Sequence, residues 1–145
     1  MRKKLLTIVF IVVVGCLVVF GINRMMPKPP EGTKTIYITL IDRTTEQTII
    51  DNQAFETSSL TLGKFFDENQ QGLILVLGDH GFGRSIDEFN GLISDMSSPS
   101  GPWIVYSSEN NQSCVSNGYC LGIDDLPIYD GDYFVFEYTS EFTFE

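Results

Sequence analysis

Histidine is almost missing from this 145-residue chain, where His80 stands alone. Zinc sites draw several His and Cys ligands together at short spacings. One histidine and a spaced pair, Cys114 and Cys120, do not supply such a set, and no metal site is expected. Cysteine is scarce as well: there are three, and none forms the C-x-x-C of a redox dithiol. Positive charge is short in most of the chain. Six of the nine basic residues lie at or before Lys34, and only Arg43, Lys64 and Arg84 follow. Every carboxylate except Glu31 lies beyond Lys34, within a formal net charge of −10. A body of that sign repels phosphate backbones and anionic headgroups, which excludes nucleic acid as a partner.

The catalytic signatures are missing too. "GDHGFG", Gly78 to Gly83, follows an apolar run as a phosphate loop does. Its spacing is not G-x-G-x-x-G, and no G-K-[ST] follows. The next segment reads as a strand, so no helix N-terminus is available for an anion. His80 has the titration range of a general base. A triad, however, needs it oriented by a carboxylate and touching a nucleophile, and Asp79 beside it in sequence does not provide that. A solvated loop histidine is the default, and no catalytic residue is expected. Asp124, Asp125, Asp130 and Asp132 are oxygen donors of the kind calcium takes. They do not fit the D-x-[DN]-x-[DN]-G loop, and turn formation accounts for them better.

What the chain does have begins at its N-terminus. "MRKK" precedes Leu5–Ile22, "LLTIVFIVVVGCLVVFGI", apolar apart from one threonine. About 18 such residues are the minimum for a spanning helix. The flanking cations favour an inside N-terminus and an exported body. Residues 1–22 are therefore expected to be a signal anchor or transmembrane segment. Val13-Val14-Gly15-Cys16 also resembles a lipobox, which makes lipidation at Cys16 the alternative, with ordinary signal cleavage third. All three place the body outside the cytoplasm. Residues 23–34, "NRMMPKPPEGTK", form a stiff Pro-rich linker, and 35–145 form the extracytoplasmic domain.

The domain reads as α+β. "TIYITLI" alternates as a strand, "DRTTEQ" is a turn, and "TIIDNQAFET" completes a hairpin. A helix of about 10 residues follows, capped by Ser59 or Thr61, striped by Leu62, Phe65 and Phe66, and ended by Gly72 in a left-handed conformation. Gly63 weakens this helix but allows close packing. "LILVLG" is a buried strand. Asn90-Gly91 marks a turn, "PWIVYS" is a strand, and "SENNQSCVSNGYC" is a polar loop. Asp130-Gly131 is a turn before a last alternating strand. One short helix on a mixed sheet is the expected architecture. Outside the cytoplasm, Cys114 and Cys120 are expected to pair as a structural disulfide. Asn111-Gln112-Ser113 is a glycosylation sequon, relevant in a eukaryotic secretory pathway.

"SLTLGKFFDEN", "GFGRSIDEFNG", "GPWIVY" and "LGIDDLPIYDGDYFVFEY" occur in that order. Together they resemble a bacterial exported domain family similar to the C-terminal domain of transcobalamin and intrinsic factor. The matching positions are Thr61-Leu62-Gly63, Gly83 to Gly91 around Ile86, Trp103, and Gly122 through Asp132. The resemblance implies a β-grasp-like fold on an anchored or lipidated surface protein. It also implies that the segment around Trp103 faces a corrinoid-like ligand. Trp103, Tyr106, Phe82 and Phe89 are the expected ligand-binding residues, although most aromatics of a small sheet protein are core. Two departures count against cobalamin binding by this chain alone. The vitamin carriers enclose cobalamin with a helical barrel that has no counterpart here, and where the family strand carries Tyr-Trp this chain has Pro102-Trp103, one aromatic fewer. No cofactor is otherwise expected. The leading expectation is a membrane-anchored binding module without catalytic activity, for a small molecule or a surface protein. The alternative is a structural or adhesive surface domain.

Overall fold

The computed structural model describes residues 32–81 and 83–141. The expected anchor Leu5–Ile22, Cys16, most of the linker and Phe82 lie outside the described residues. No helix among the described residues is long and apolar enough to cross a membrane.

The chain is α+β. Among the described residues the seven strands are β1 (Lys34–Asp42), β2 (Gln47–Thr57), β3 (Leu75–Asp79), β4 (Arg84–Phe89), β5 (Leu92–Ile93), β6 (Trp103–Ser107) and β7 (Tyr133–Thr139), and the two helices are α1 (Leu62–Leu73) and α2 (Gln112–Asn117). A mixed sheet runs β2-β1-β7-β6, and a second, antiparallel sheet runs β3-β4-β5. β1 is parallel to β7 and antiparallel to β2, while β6 is antiparallel to β7. The strand order follows from burial. β1 and β7 carry Ile36, Ile38, Leu40, Phe134 and Phe136, all fully buried, so they take the centre. β2 is exposed over most of its length and ends the sheet on one side. β6 ends it on the other.

α1 covers the apolar face of the mixed sheet. Thr61 caps it, accepting the Lys64 amide at 3.3 Å. The next free amides at this end, which a helix leaves without internal partners, go to another segment. Leu62 N–H donates to Leu126 O (3.0 Å) and Gly63 N–H to Ile123 O (2.7 Å). Gly63 is required there, because a Cβ would overlap the Asp124 carboxylate and sit 3.2 Å from Asp124 Cα. The close approach is thus to the 122–128 segment rather than to a sheet. Phe65, Phe66, Phe89 and Phe136 meet in the core at ring separations of 5.3 to 6.2 Å. Burial of such rings dominates the stability of a domain this size.

Three expectations need revision. The helix does not stop at Gly72. It continues to Leu73, which is buried, and Ile74 takes the left-handed position at φ 48, its amide reaching Gln70 O. The need to seat Leu73 and Leu75 on the core outweighs the steric preference for glycine. The polar loop contains a second helix, α2, capped by Asn111 and closed by Gly118 at φ 75. The first three strands after α1, β3 to β5, form a separate three-stranded sheet, with Asn90-Gly91 (φ 50 and 85) making the two-residue turn between β4 and β5.

Candidate functional site

Two of the four expected aromatics share one strand. Trp103 opens β6, half-buried, with its indole directly over Gly101; a Cβ at Gly101 would lie 2.7 Å from the ring. Tyr106, also half-buried, stacks at 5.5 Å on Phe136, and its hydroxyl donates to Leu121 O at 2.6 Å. Burial raises the Tyr106 phenol well above its ordinary value, so it stays neutral. Phe89 lies elsewhere. It has no accessible surface and packs on Phe66 and Phe136, which makes it core rather than a ligand contact. Phe82 lies outside the described residues.

An open groove of about 1180 Å³ wraps the free side of β6. One wall is the loop closed by the Cys114–Cys120 disulfide, carrying the prominent Tyr119, 66 % exposed. The other wall is the outer face of the sheet, with Val105, Ser107, Glu137 and Thr139, extended by Arg43 and Glu46 of the β1–β2 turn. Tyr106 and Ile104 form the inner edge, and Glu141 stands at one end. The turn that places Arg43 is built by Asp42, whose carboxylate accepts the Thr44 amide and the Thr44 and Thr45 hydroxyls. Those bonds, the Thr44 hydroxyl first, hold Asp42 below the usual carboxylate range. Arg43 is committed: its guanidinium grips Glu137 through Nε and Nη2, with Glu46 at 3.7 Å.

The main chain of β6 adds a second feature. Ile104 N–H donates to Ser94 Oγ at 3.1 Å, on the side away from β7. Strand groups alternate with a period of two. The N–H and C=O of Tyr106 therefore point the same way, into the groove, where the sheet has no further strand.

At the far end of β7 is a buried polar node. Asn111, fully buried, accepts the Ser113 and Cys114 amides at 3.0 and 3.1 Å and so caps α2. Its Nδ2 donates to Pro127 O (2.9 Å) and to Asp132 Oδ2 (2.5 Å). Asp132, itself buried, also accepts the Tyr129 amide. Burial pushes its carboxyl above the usual range, against those hydrogen bonds. Lys34 donates to Ile128 O at 3.0 Å; burial lowers its pKa, partly offset by Asp132. The sequon asparagine is thus a structural keystone with its amide fully occupied.

The remaining candidates are structural. His80 Nε2 lies 2.8 Å from Asp87 Oδ1, and Ser85 Oγ donates to the same oxygen at 3.1 Å. Serine and histidine share a carboxylate instead of touching each other, which is not the order of a relay. Gly78 permits the arrangement, since a Cβ there would collide with Asp87 and His80. The aspartates do not converge either. Asp124 accepts Arg84, which also binds Asp67 at 2.6 Å, and Asp130 accepts the Thr35 amide. The Arg84 hydrogen bonds lower the Asp124 pKa, and Asp124 and then Asp67 raise that of Arg84. Among the described residues no cluster of three or more His, Cys, Asp or Glu is placed to hold a metal.

Tyr119, Arg43, Glu137 and the open Tyr106 main chain were not identifiable as a site from sequence. They come from four separate segments, and no spacing links them.

No family model matches the chain, and no curated protein matches it. The fold does have a counterpart among solved structures. A 1.30 Å crystal structure from Ruminococcus gnavus, described as a "putative metal binding protein", aligns with a TM-score of 0.50 at 20% identity, covering 72% of this chain and 94% of that one. At that identity the chain shares a fold with that protein, and the likeness extends no further.

Proposed function

We propose that this chain is a membrane-anchored, extracytoplasmic binding module of β-grasp-like fold, related to the transcobalamin C-terminal type, that holds a ligand along β6 and does no chemistry on it. The observation that carries this reading is the open groove of about 1180 Å³ beside Tyr106 and Tyr119. Arg43 on its rim is paired with Glu137 and Glu46, and Tyr106 stays neutral, so the site offers surface and hydrogen bonds rather than an activated group. The Cys114–Cys120 disulfide supports an oxidising location, as does the apolar Leu5–Ile22 segment. Metal binding, the description carried by the Ruminococcus structure, lacks a ligand cluster among the described residues and is not proposed.

The test is calorimetry on Lys34–Glu145, prepared under oxidising conditions, against cyanocobalamin, aquocobalamin and cobinamide. Saturable heat that falls on Trp103→Ala or Tyr119→Ser supports a corrinoid-like ligand. No heat with any of the three removes the corrinoid version and leaves a protein partner as the leading idea. A second reading, a structural or adhesive surface domain, draws on β2, an eleven-residue edge strand exposed along most of its length. Concentration-dependent self-association in sedimentation, abolished by a charge placed at Ile49, is the result that favours it.

A further inference from the structure

We infer that the β6 groove accepts an extended, cationic peptide segment of a partner protein, added as a strand next to β6 in the β2-β1-β7-β6 sheet. The inference rests on the binding-module reading and names the class of partner.

Three features converge on it. First, the edge of β6 is covered at its start, where Ser94 Oγ accepts the Ile104 N–H and the Asp95 N–H donates to Pro102 O, and is open at Tyr106, whose N–H and C=O point into the groove. An added strand pairs with those groups, and main-chain pairing supplies affinity without requiring a particular sequence. Second, the groove lies on both faces of the edge. Side chains of an added strand alternate: one set meets Tyr119 and the disulfide loop, the other meets Val105, Ser107 and Glu137 on the outer sheet face. An added strand fills both faces of the edge at once. Third, the charge is one-sided. The groove holds Glu46, Glu137 and Glu141 against Arg43, and Arg43 is already bound to Glu137 and Glu46. The other cations beyond Lys34 are also engaged, Arg84 by Asp67 and Asp124, Lys64 near Asp67. An anionic segment finds no uncommitted cation there. A second copy of this acidic chain is repelled, whereas a lysine- or arginine-bearing strand is steered in.

The experiment titrates the full chain, isotopically labelled in a non-ionic detergent, with a blocked octapeptide of alternating lysine and valine. A glutamate–valine octapeptide of the same length is the control. The expected result is binding of the lysine peptide at least about ten-fold tighter than the control, with amide exchange at Tyr106 slowed on saturation. Glu137→Gln combined with Glu141→Gln removes two carboxylates and frees the Arg43 cation, and should weaken the lysine peptide about five-fold or more. Glu141→Gln alone, at an exposed position outside the strands, gives a smaller loss without touching the fold. The inference is overturned by absence of lysine-peptide binding, by equal binding of the two peptides, or by binding that leaves Tyr106 exchange unchanged. Protection of Tyr106 that rises with protein concentration in the absence of peptide overturns it too, in favour of a self-dimer. If both peptides fail while a corrinoid gives saturable heat, only this inference falls. If the corrinoids fail as well, this inference and the corrinoid version of the binding-module reading both fall, and the structural-domain reading is favoured.

Discussion

Replacing Asn111 with alanine should be among the most damaging single changes outside the aromatic core. The side chain does two jobs. Its Oδ1 caps α2 by accepting the Ser113 and Cys114 amides, and loss of such a cap costs about 1 kcal/mol. Its Nδ2 donates to Pro127 O and to the buried Asp132 carboxylate. A hydrogen bond to a charged group is worth about 1.5–3 kcal/mol, and removing the donor leaves the acceptor without its partner. The two parts together come to about 2.5–4 kcal/mol, a large fraction of the roughly 5–15 kcal/mol that holds a domain folded. Urea unfolding followed by far-ultraviolet circular dichroism should show the midpoint fall with an unchanged slope. Asn111→Asp keeps the cap acceptor but turns a carboxylate toward Asp132. At neutral pH it should be at least as unstable as the alanine variant, and it should recover on acidification as the pair shares a proton. A cycle with Asp132→Asn should give a coupling above about 1 kcal/mol. If Asn111→Ala costs no more than a cap, or the cycle is additive, the node does not anchor α2 as described.

Other perturbations bear on the same framework. Acid should destabilise the domain below the ordinary carboxylate value near 3.8, because Asp42 and Asp124 are held below it and their stabilisation is lost as pH falls through the lowered values. Asp132 has the opposite sign: its raised pKa contributes stability that is lost as pH rises through it. Stability profiles of Arg84→Met and Asp132→Asn should therefore differ from the parent on opposite limbs. Gly63→Ala should cost about 1–3 kcal/mol despite the better helix propensity of alanine, because the Cβ meets Asp124; a thermal midpoint at or above the parent contradicts that packing. Reducing the Cys114–Cys120 bond, which closes a loop of sequence separation 6, should lower stability by about 2 kcal/mol and increase amide exchange across Tyr119 on the groove wall. The occupied, buried amide of Asn111 should make the folded domain unreactive to glycosylation at the sequon, which mass spectrometry reads directly.

Much of the framework was legible because local rules and tertiary demands agreed. The alternation of Ile36, Ile38 and Leu40 marks a strand, and that face is buried in one core with Leu62, Phe65 and Phe66 of α1. Asn90-Gly91 specifies the turn it makes, and Thr61 caps the helix. The disulfide was expected from two cysteines in a body expected to lie outside the cytoplasm, and Cys114 and Cys120 are bonded. The failures have equally physical causes. Six residues of α2 are too few to show periodicity, so its cap looked like a sequon. Gly72 looked like a helix stop, but a buried Leu73 extended the helix beyond it. Phe89 looked like any other aromatic near a glycine-rich turn; only the packing of Phe66 and Phe136 around it assigns it to the core. The groove was invisible because Arg43, Tyr106, Tyr119 and Glu137 are joined by topology and not by spacing.

The central claim is that β6 and the groove beside it form a ligand surface. The most direct test is amide exchange and chemical-shift mapping of the domain during titration with the corrinoid panel and the lysine–valine peptide. The account predicts that at least one ligand produces saturable changes confined to Trp103–Ser107, Tyr119 and the Arg43 turn. Saturable changes that map instead to β2 or to the β3-β4-β5 sheet, or no change with any ligand, contradict it.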